Sequence, residues 1–227
     1  MSTIRAVIFD MDGVLVDSEP LHIATDFETL HHYGAHIEPE ELHEFAGVEA
    51  MTVYRRLRER FAIPAAAGEM LEHKNALLYR RLEREAPAVA GLREMVEELN
   101  ELDVLRALAT SSGRALAELV LGRLGLGAWF AASVCGDEVS ASKPAPEIFL
   151  TAAARLGVEP GECMVLEDSA HGVAAARAAG MIPIGFVNPK SGTQDLSAAK
   201  LRISSLSDFP RIVAAHTRNA RPAPGAR

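Results

Sequence analysis

Asp10 and Asp12, two residues apart and followed at once by Gly13, are the residues of this chain best placed to do chemistry. They end an apolar run, Ile4 to Phe9, that reads as a short buried strand because its residues are nearly all apolar and several are β-branched. Gly13 reads as the turn that stops it. In a strand, residues i and i+2 point the same way, so two carboxylates come close where a sheet opens into a loop. Like charges so placed repel, and burial adds to the cost. A divalent cation is the simplest agent to offset both.

Three further stretches have the same character. Thr110-Ser111-Ser112-Gly113-Arg114 follows a second apolar run, and hydroxyls with free backbone N–H groups at a helix start suit an oxyanion or phosphate. Ser142-Lys143-Pro144 places a lysine before a proline, which keeps the backbone extended. An ammonium there can neutralise a phosphate and restrain the aspartates. Glu167-Asp168-Ser169 closes another apolar run, and adjacent acids after a buried strand are costly unless paired or metal-bound. The lysine stands out by rarity. Only Lys74, Lys143, Lys190 and Lys200 occur among 23 basic residues, and an ammonium is not interchangeable with a guanidinium fork. Compositional drift suffices for Lys190 and Lys200, which lie in a polar region.

The elements that must position these residues can be read from periodicity. After Gly13 the pattern becomes helical over 21–32, 40–45, 51–61 and 65–85, with Pro20, Pro39 and Pro64 near helix starts. No strand is expected between Asp17 and Ala88. From Pro87 onward helix and strand alternate, with strands over 104–109, 132–135, 163–166 and 182–187 and helices over 91–101, 115–124, 145–156 and 173–179. That alternation predicts βαβ units, a parallel sheet and an α/β class. The expected architecture is a Rossmann-like core, 1–16 with 89–227, with helices on both faces. A helical cap, 17–88, interrupts it, and 217–227 reads as a disordered tail. In such sheets ligands bind at the carboxyl ends of strands. Acids, hydroxyls, a lysine and acids again at four strand ends form a phosphoryl-transfer site.

Composition narrows the rest. With 227 residues and 48% hydrophobic content the chain can bury a sizeable core. A net charge of −8 argues against a nucleic-acid-binding surface, and no apolar run approaches membrane-spanning length. Cys135 and Cys163 read as small core residues, in keeping with a reducing cytoplasm. A monomer without a membrane or nucleic-acid partner is expected.

This order of motifs resembles the haloacid dehalogenase superfamily, over essentially the whole chain. The helical insert is similar to the cap of the subfamily that holds β-phosphoglucomutase and many small sugar-phosphate phosphatases. The resemblance implies Asp10 as the nucleophile that becomes an aspartyl phosphate and Asp12 as general acid/base. It implies Thr110 and Lys143 as phosphate-binding groups, with Ser111 beside them. Asp10, Asp168, the Asp12 backbone carbonyl and Glu167 are then the Mg²⁺-binding set. His22 and Lys74 match cap residues near the leaving group, and Glu49, Ser112 and Arg114 are further candidates for substrate contact. Dehalogenases of the superfamily need no acid two residues after the nucleophile, so Asp12 argues against that reaction. Ala50 stands where the mutase has an arginine that grips a second phosphate, and Arg114 could replace it. The leading expectation is a Mg²⁺-dependent phosphatase of a small phosphorylated metabolite, a sugar or sugar-alcohol phosphate. A β-phosphoglucomutase-type mutase and a phospho-accepting signalling domain are the alternatives.

Overall fold

The computed structural model describes residues 3–38, 41–42 and 50–217. Six strands form one sheet: β1 (Ala6–Phe9), β2 (Leu105–Ala109), β3 (Ala132–Val134), β4 (Cys163–Glu167), β5 (Ile182–Phe186) and β6 (Leu201–Ile203). Their order is β3-β2-β1-β4-β5-β6, and every pairing is parallel. The first strand is therefore central, with Phe9 opposite Leu108 on one side and Leu166 on the other. This is an α/β, Rossmann-like arrangement, as the alternation predicts. Strand β6 departs from the expectation. It has three residues, two of them exposed, too short and too polar to carry a period.

Side-chain alternation along β1 assigns its residues to two cores. Ile4, Val7 and Phe9 join a cluster with α4 (Leu92–Asn100), α5 (Arg114–Leu124) and α8 (Phe209–Ala214). Ala6 and Ile8 join the opposite cluster with α6 (Glu147–Leu156) and α7 (Ala170–Ala178). Phe9 is fully buried, with ring centroids 5.2 Å from Trp129, 5.9 Å from Phe130 and 5.8 Å from Phe209. Burying such a ring is worth about 1.5–3 kcal/mol, which ties the strand that ends in Asp10 firmly into the core.

Three helices, α1 (Glu19–His32), α2 (Ala50–Arg60) and α3 (Ala67–Arg84), lie between β1 and α4. They close on a separate apolar cluster that includes Leu30, Tyr54, Leu57 and Met70. Tyr54 donates its hydroxyl hydrogen to Asp26 at 2.6 Å, which satisfies the polar end of a buried ring. Apart from 41–42, the helix expected over 40–45 lies outside the described residues, as do Glu49 and the tail from 218 onward. Two crossings join this block to the sheet. Asp17 N–H donates to Pro87 C=O at 2.8 Å, Val89 N–H donates to Leu15 C=O at 3.1 Å, and Val16 and Ala88 form an isolated antiparallel bridge.

Candidate active site

The carboxyl ends of β1, β2 and β4 open into a cavity of about 770 Å³ whose far wall is supplied by α1 and α3. Asp10 and Asp12 follow β1, and the chain then turns at Gly13, whose φ is +76°. Gly13 is obligatory for a second reason: a Cβ there would stand 1.9 Å from Asp168 Oδ2. The turn thus lets the acid after β4 pack directly on the acid loop after β1.

Lys143 is the centre of the charge arrangement. Its Nζ donates to Asp10 Oδ1 at 2.5 Å, Glu167 Oε1 at 2.7 Å and the Ala109 carbonyl at 3.1 Å, and it lies 4.9 Å from the Phe149 ring centroid. Three donors meet three acceptors, and the side chain is only 6% exposed. Its pKa is raised: burial opposes the charge, but Asp10 and Glu167 outweigh burial. Asp10 and Asp168 are pushed up, first by burial. Glu167 repels both and they repel each other, while Lys143 pulls the other way. One ammonium thus serves three buried acids.

That surplus is the test of whether these residues suit a divalent cation. Asp10 and Asp168 are each 7% exposed, supply hard oxygen donors, and are held near one another despite their charge. Ser191 Oγ, buried at the edge of the same cavity, lies against Asp168 and draws its pKa down, without forming a well-aligned hydrogen bond among the described residues. The donor set fits Mg²⁺ at Asp10 and Asp168. Glu167 has both oxygens engaged by protein: Oε1 accepts from Lys143, and Oε2 accepts from Ser169 N–H and Oγ–H at 2.9 Å each. Glu167 thus anchors the lysine.

Asp12 has a different environment. Its Oδ1 accepts from Ser18 Oγ at 2.5 Å and faces His22 Nε2 at 3.7 Å, and its Oδ2 accepts from Ser112 Oγ at 2.8 Å. Burial raises its pKa, but His22, Ser18 and Ser112 together bring it down to about 2. Both side-chain oxygens are engaged, leaving the backbone carbonyl as its free acceptor toward a metal. Lys74, 5% exposed, lies 2.8 Å from His22 Nδ1. An ammonium can only donate, so His22 accepts at Nδ1 and carries its ring proton on Nε2, toward Asp12.

Two other expected site residues have protein partners of their own. Thr110 is fully buried, and its Oγ1 accepts from Ser112 N–H at 3.1 Å. It shapes the loop from beneath, while Ser111 and Ser112 line the cavity. Arg114 also lines the cavity, but its guanidinium is held by Ser133 Oγ at 2.6 Å, by Ser133 C=O at 3.1 Å and by Glu138. It covers the edge strand β3, as an unpaired sheet edge requires. Ala50 does border the cavity. Ser18, Glu19, Phe149, His171 and Ser191 have places here that the sequence reading assigned to none of them. Nothing in the spacing of Ser18, one residue before a helix, distinguishes a hydroxyl on Asp12 from a helix N-cap.

The chain matches the haloacid dehalogenase-like hydrolase family over residues 4–180, and it belongs to that family. It is 35% identical over 208 residues to a probable pseudouridine-5'-phosphatase of Drosophila melanogaster, covering 89% of this chain and 90% of that one. It is 35% identical over 183 residues to the fructose-1-phosphate phosphatase of Escherichia coli (strain K12), covering 77% and 92%. Among solved structures, β-phosphoglucomutase from Clostridium difficile superposes with a TM-score of 0.75 at 25% identity, covering 91% and 93%. The protein is a phosphoric monoester hydrolase, and a non-turning-over signalling domain is set aside.

Proposed function

We propose that the protein is a Mg²⁺-dependent phosphatase that hydrolyses a small phosphorylated sugar or sugar alcohol through a phosphorylated Asp10. The observation that carries this is Lys143 between Asp10 and Glu167 at the base of a cavity, with Asp12 in a separate environment on the same loop. Two carboxylates with divergent environments are what a nucleophile and a proton carrier require. The relatives named as phosphatases of fructose 1-phosphate, hexitol phosphates and phosphorylated carbohydrates support the substrate class.

In this reading Asp10 attacks phosphorus, the O–P bond to the sugar breaks, and the leaving oxygen takes a proton from Asp12. Water then attacks the phosphorus and gives a proton back to Asp12, the Asp10 Oδ–P bond breaks, and inorganic phosphate leaves with Asp10 restored as a carboxylate. Lys143 offsets the charge of the phosphate, assisted by Ser111 at the loop after β2. Mg²⁺, held by Asp10, Asp168 and the Asp12 carbonyl, would supply Lewis-acid neutralisation of that phosphate. The present arrangement keeps Asp12 as a carboxylate, the form that activates water. Its acid form calls for Ser18 and His22 to withdraw, and both lie on the cap side. The pairing of His22 with Lys74 resembles the mutase, but Ala50 and the engaged Arg114 provide no clamp for a second phosphate among the described residues.

The test is hydrolysis of p-nitrophenyl phosphate with and without Mg²⁺ by the wild type and Asp10→Asn. Metal-dependent turnover in the wild type alone is expected. Equal rates in both proteins would sink the assignment.

A further inference from the structure

Lys190 and Asn188, in the loop after β5, occupy a place that composition gave no reason to expect. Asn188 is 6% exposed, and its Nδ2 donates to two acceptors, the Gly13 carbonyl at 2.8 Å and Asp17 Oδ1 at 2.9 Å. Its Oδ1 accepts from Lys190 N–H at 2.8 Å. The Lys190 ammonium then reaches Asp17 Oδ2 at 2.7 Å. Asp17 is 6% exposed while the Lys190 side chain is 55% exposed, so the lysine covers a buried carboxylate from outside.

Asp17 is also the root of the cap. Its N–H holds Pro87 C=O on the returning crossing, and the next residue, Ser18, is 1% exposed with its hydroxyl on Asp12. A closed circuit results: Asp12 and Gly13, then Asn188, then Asp17 and Ser18, then Asp12 again. The amide of Asn188 is the crossbar. It binds the catalytic loop with the same nitrogen that binds the cap root.

We infer that Asn188 and Lys190 are positioning residues that lock the root of the cap to the Asp12–Gly13 loop and thereby set where Ser18 and His22 meet Asp12. The inference rests on the phosphatase reading for its kinetic consequence but not for its structural one. A buried Asp17 has only these two side chains as partners among the described residues. Losing the ammonium leaves an uncompensated carboxylate at the hinge, which favours water entry and separation of the crossing strands. Displacing Ser18 and His22 by a fraction of an ångström then misplaces the proton carrier without touching the Lys143 end of the cavity.

The experiment compares Lys190→Met, Asn188→Ala and Lys190→Arg with the wild type, each judged folded by its thermal melt. Hydrogen exchange at the Asp17 and Val89 amides is expected to rise about tenfold or more in the first two. With p-nitrophenyl phosphate, kcat is expected to fall about tenfold or more while the inhibition constant of inorganic phosphate moves less than about twofold. Lys190→Arg, which keeps the charge, should recover most of both. Unchanged exchange at the hinge overturns the inference whatever the activity. So does a loss of kcat matched by an equal loss of phosphate affinity, since that marks collapse of the whole site. Hinge exchange that rises in a protein whose wild type hydrolyses no phosphate ester would leave the lock standing and remove the phosphatase reading.

Discussion

The carboxylate of Glu167 occupies the space that a side chain on Gly172 would fill: a Cβ there would stand 1.7 Å from Glu167 Oε1. Glu167 can lie across the first turn of α7 only because residue 172 has no side chain. There it accepts from Ser169 and takes one of the three hydrogen bonds of Lys143. Gly172→Ala must push the acid aside and leave the ammonium paired with Asp10 alone. A stability loss of about 1–3 kcal/mol is expected from overpacking, with a fall in kcat of roughly tenfold to a hundredfold from misplacement of Lys143. Urea melts and steady-state kinetics check it. Unimpaired turnover in a measurably destabilised variant would show that Lys143 does not depend on Glu167.

Removing Lys143 should damage the fold as well as the reaction. Lys143→Met leaves Asp10 and Glu167 buried without their shared cation, a change that costs roughly 3–5 kcal/mol where it has been measured in buried pairs. The loss should shrink in acid, where the two carboxyl groups can take up protons. Lys143→Arg should not restore activity, because a planar fork does not fit three acceptors converging on one nitrogen. Denaturant titrations at neutral and acidic pH distinguish these outcomes.

The metal-free protein should lose stability as pH rises. Asp10 and Asp168 have folded-state pKa values above the ordinary carboxylate value of about 3.9. The folded state therefore binds their protons more tightly than the unfolded chain does. Their contribution is complete below about pH 3.9 and fades as pH climbs toward the raised values. Mg²⁺ needs the ionised forms, so its stabilising effect should grow over that window. Melting temperatures with Mg²⁺ and with a chelator, recorded across pH, should diverge upward. A constant gap would argue against these acids as the binding groups.

Asp12 has the opposite sign. Its pKa is held down to about 2 despite burial, with Ser18 among the causes. Its stabilising effect is present above the unfolded value and is lost as pH falls through the folded one. Ser18→Ala should raise the pKa and move the acid limb of phosphoenzyme breakdown to higher pH. Rapid-quench measurement of phosphate release from phosphorylated enzyme in the acid range reads this directly. An unmoved limb would mean that Ser18 does not tune the base.

Arg114→Ala should act on the sheet edge, not on substrate. Losing the cover over Ser133 and the pair with Glu138 should lower the melting temperature by a few degrees, about 1 kcal/mol for so exposed a pair. A sugar bisphosphate should inhibit the wild type no better than the monophosphate does. Bisphosphate inhibition that is strong and lost in Arg114→Ala would restore the arginine to the substrate.

The strand ends were legible because their chemistry conflicts with their surroundings. Acids after apolar runs, and a rare lysine before a proline, announce a function through the energy that burial demands of them. Asp10, Asp12, Lys143 and Asp168 duly converge on one cavity. Lys190 defeated the same logic, since the acid it covers is supplied by Asp17, far away in sequence and unremarkable in its own window. Glu167 and Arg114 carry the right charge in the right loops, yet their partners, Ser169 and Lys143 for one, Ser133 and Glu138 for the other, are fixed by packing alone. Strand β6 and helix α8 are too short for any period to emerge.

The central place of β1 also governs when the site can exist. Ala6 pairs with Leu105 and with Cys163, 99 and 157 residues further along. During synthesis the strand that delivers Asp10 precedes both neighbours, pairs on one edge only after β2 and is closed on the other only after β4. Helices α1 to α3, closing on their own apolar cluster, need no such wait. Contacts so distant in sequence form late and slowly. A nascent or truncated chain ending before β2 can hold the three helices beside an Asp10 that has no sheet beneath it, and one ending before β4 leaves β1 as an open sheet edge. Turnover is thus a report that the ribosome has delivered the chain at least through Asp168.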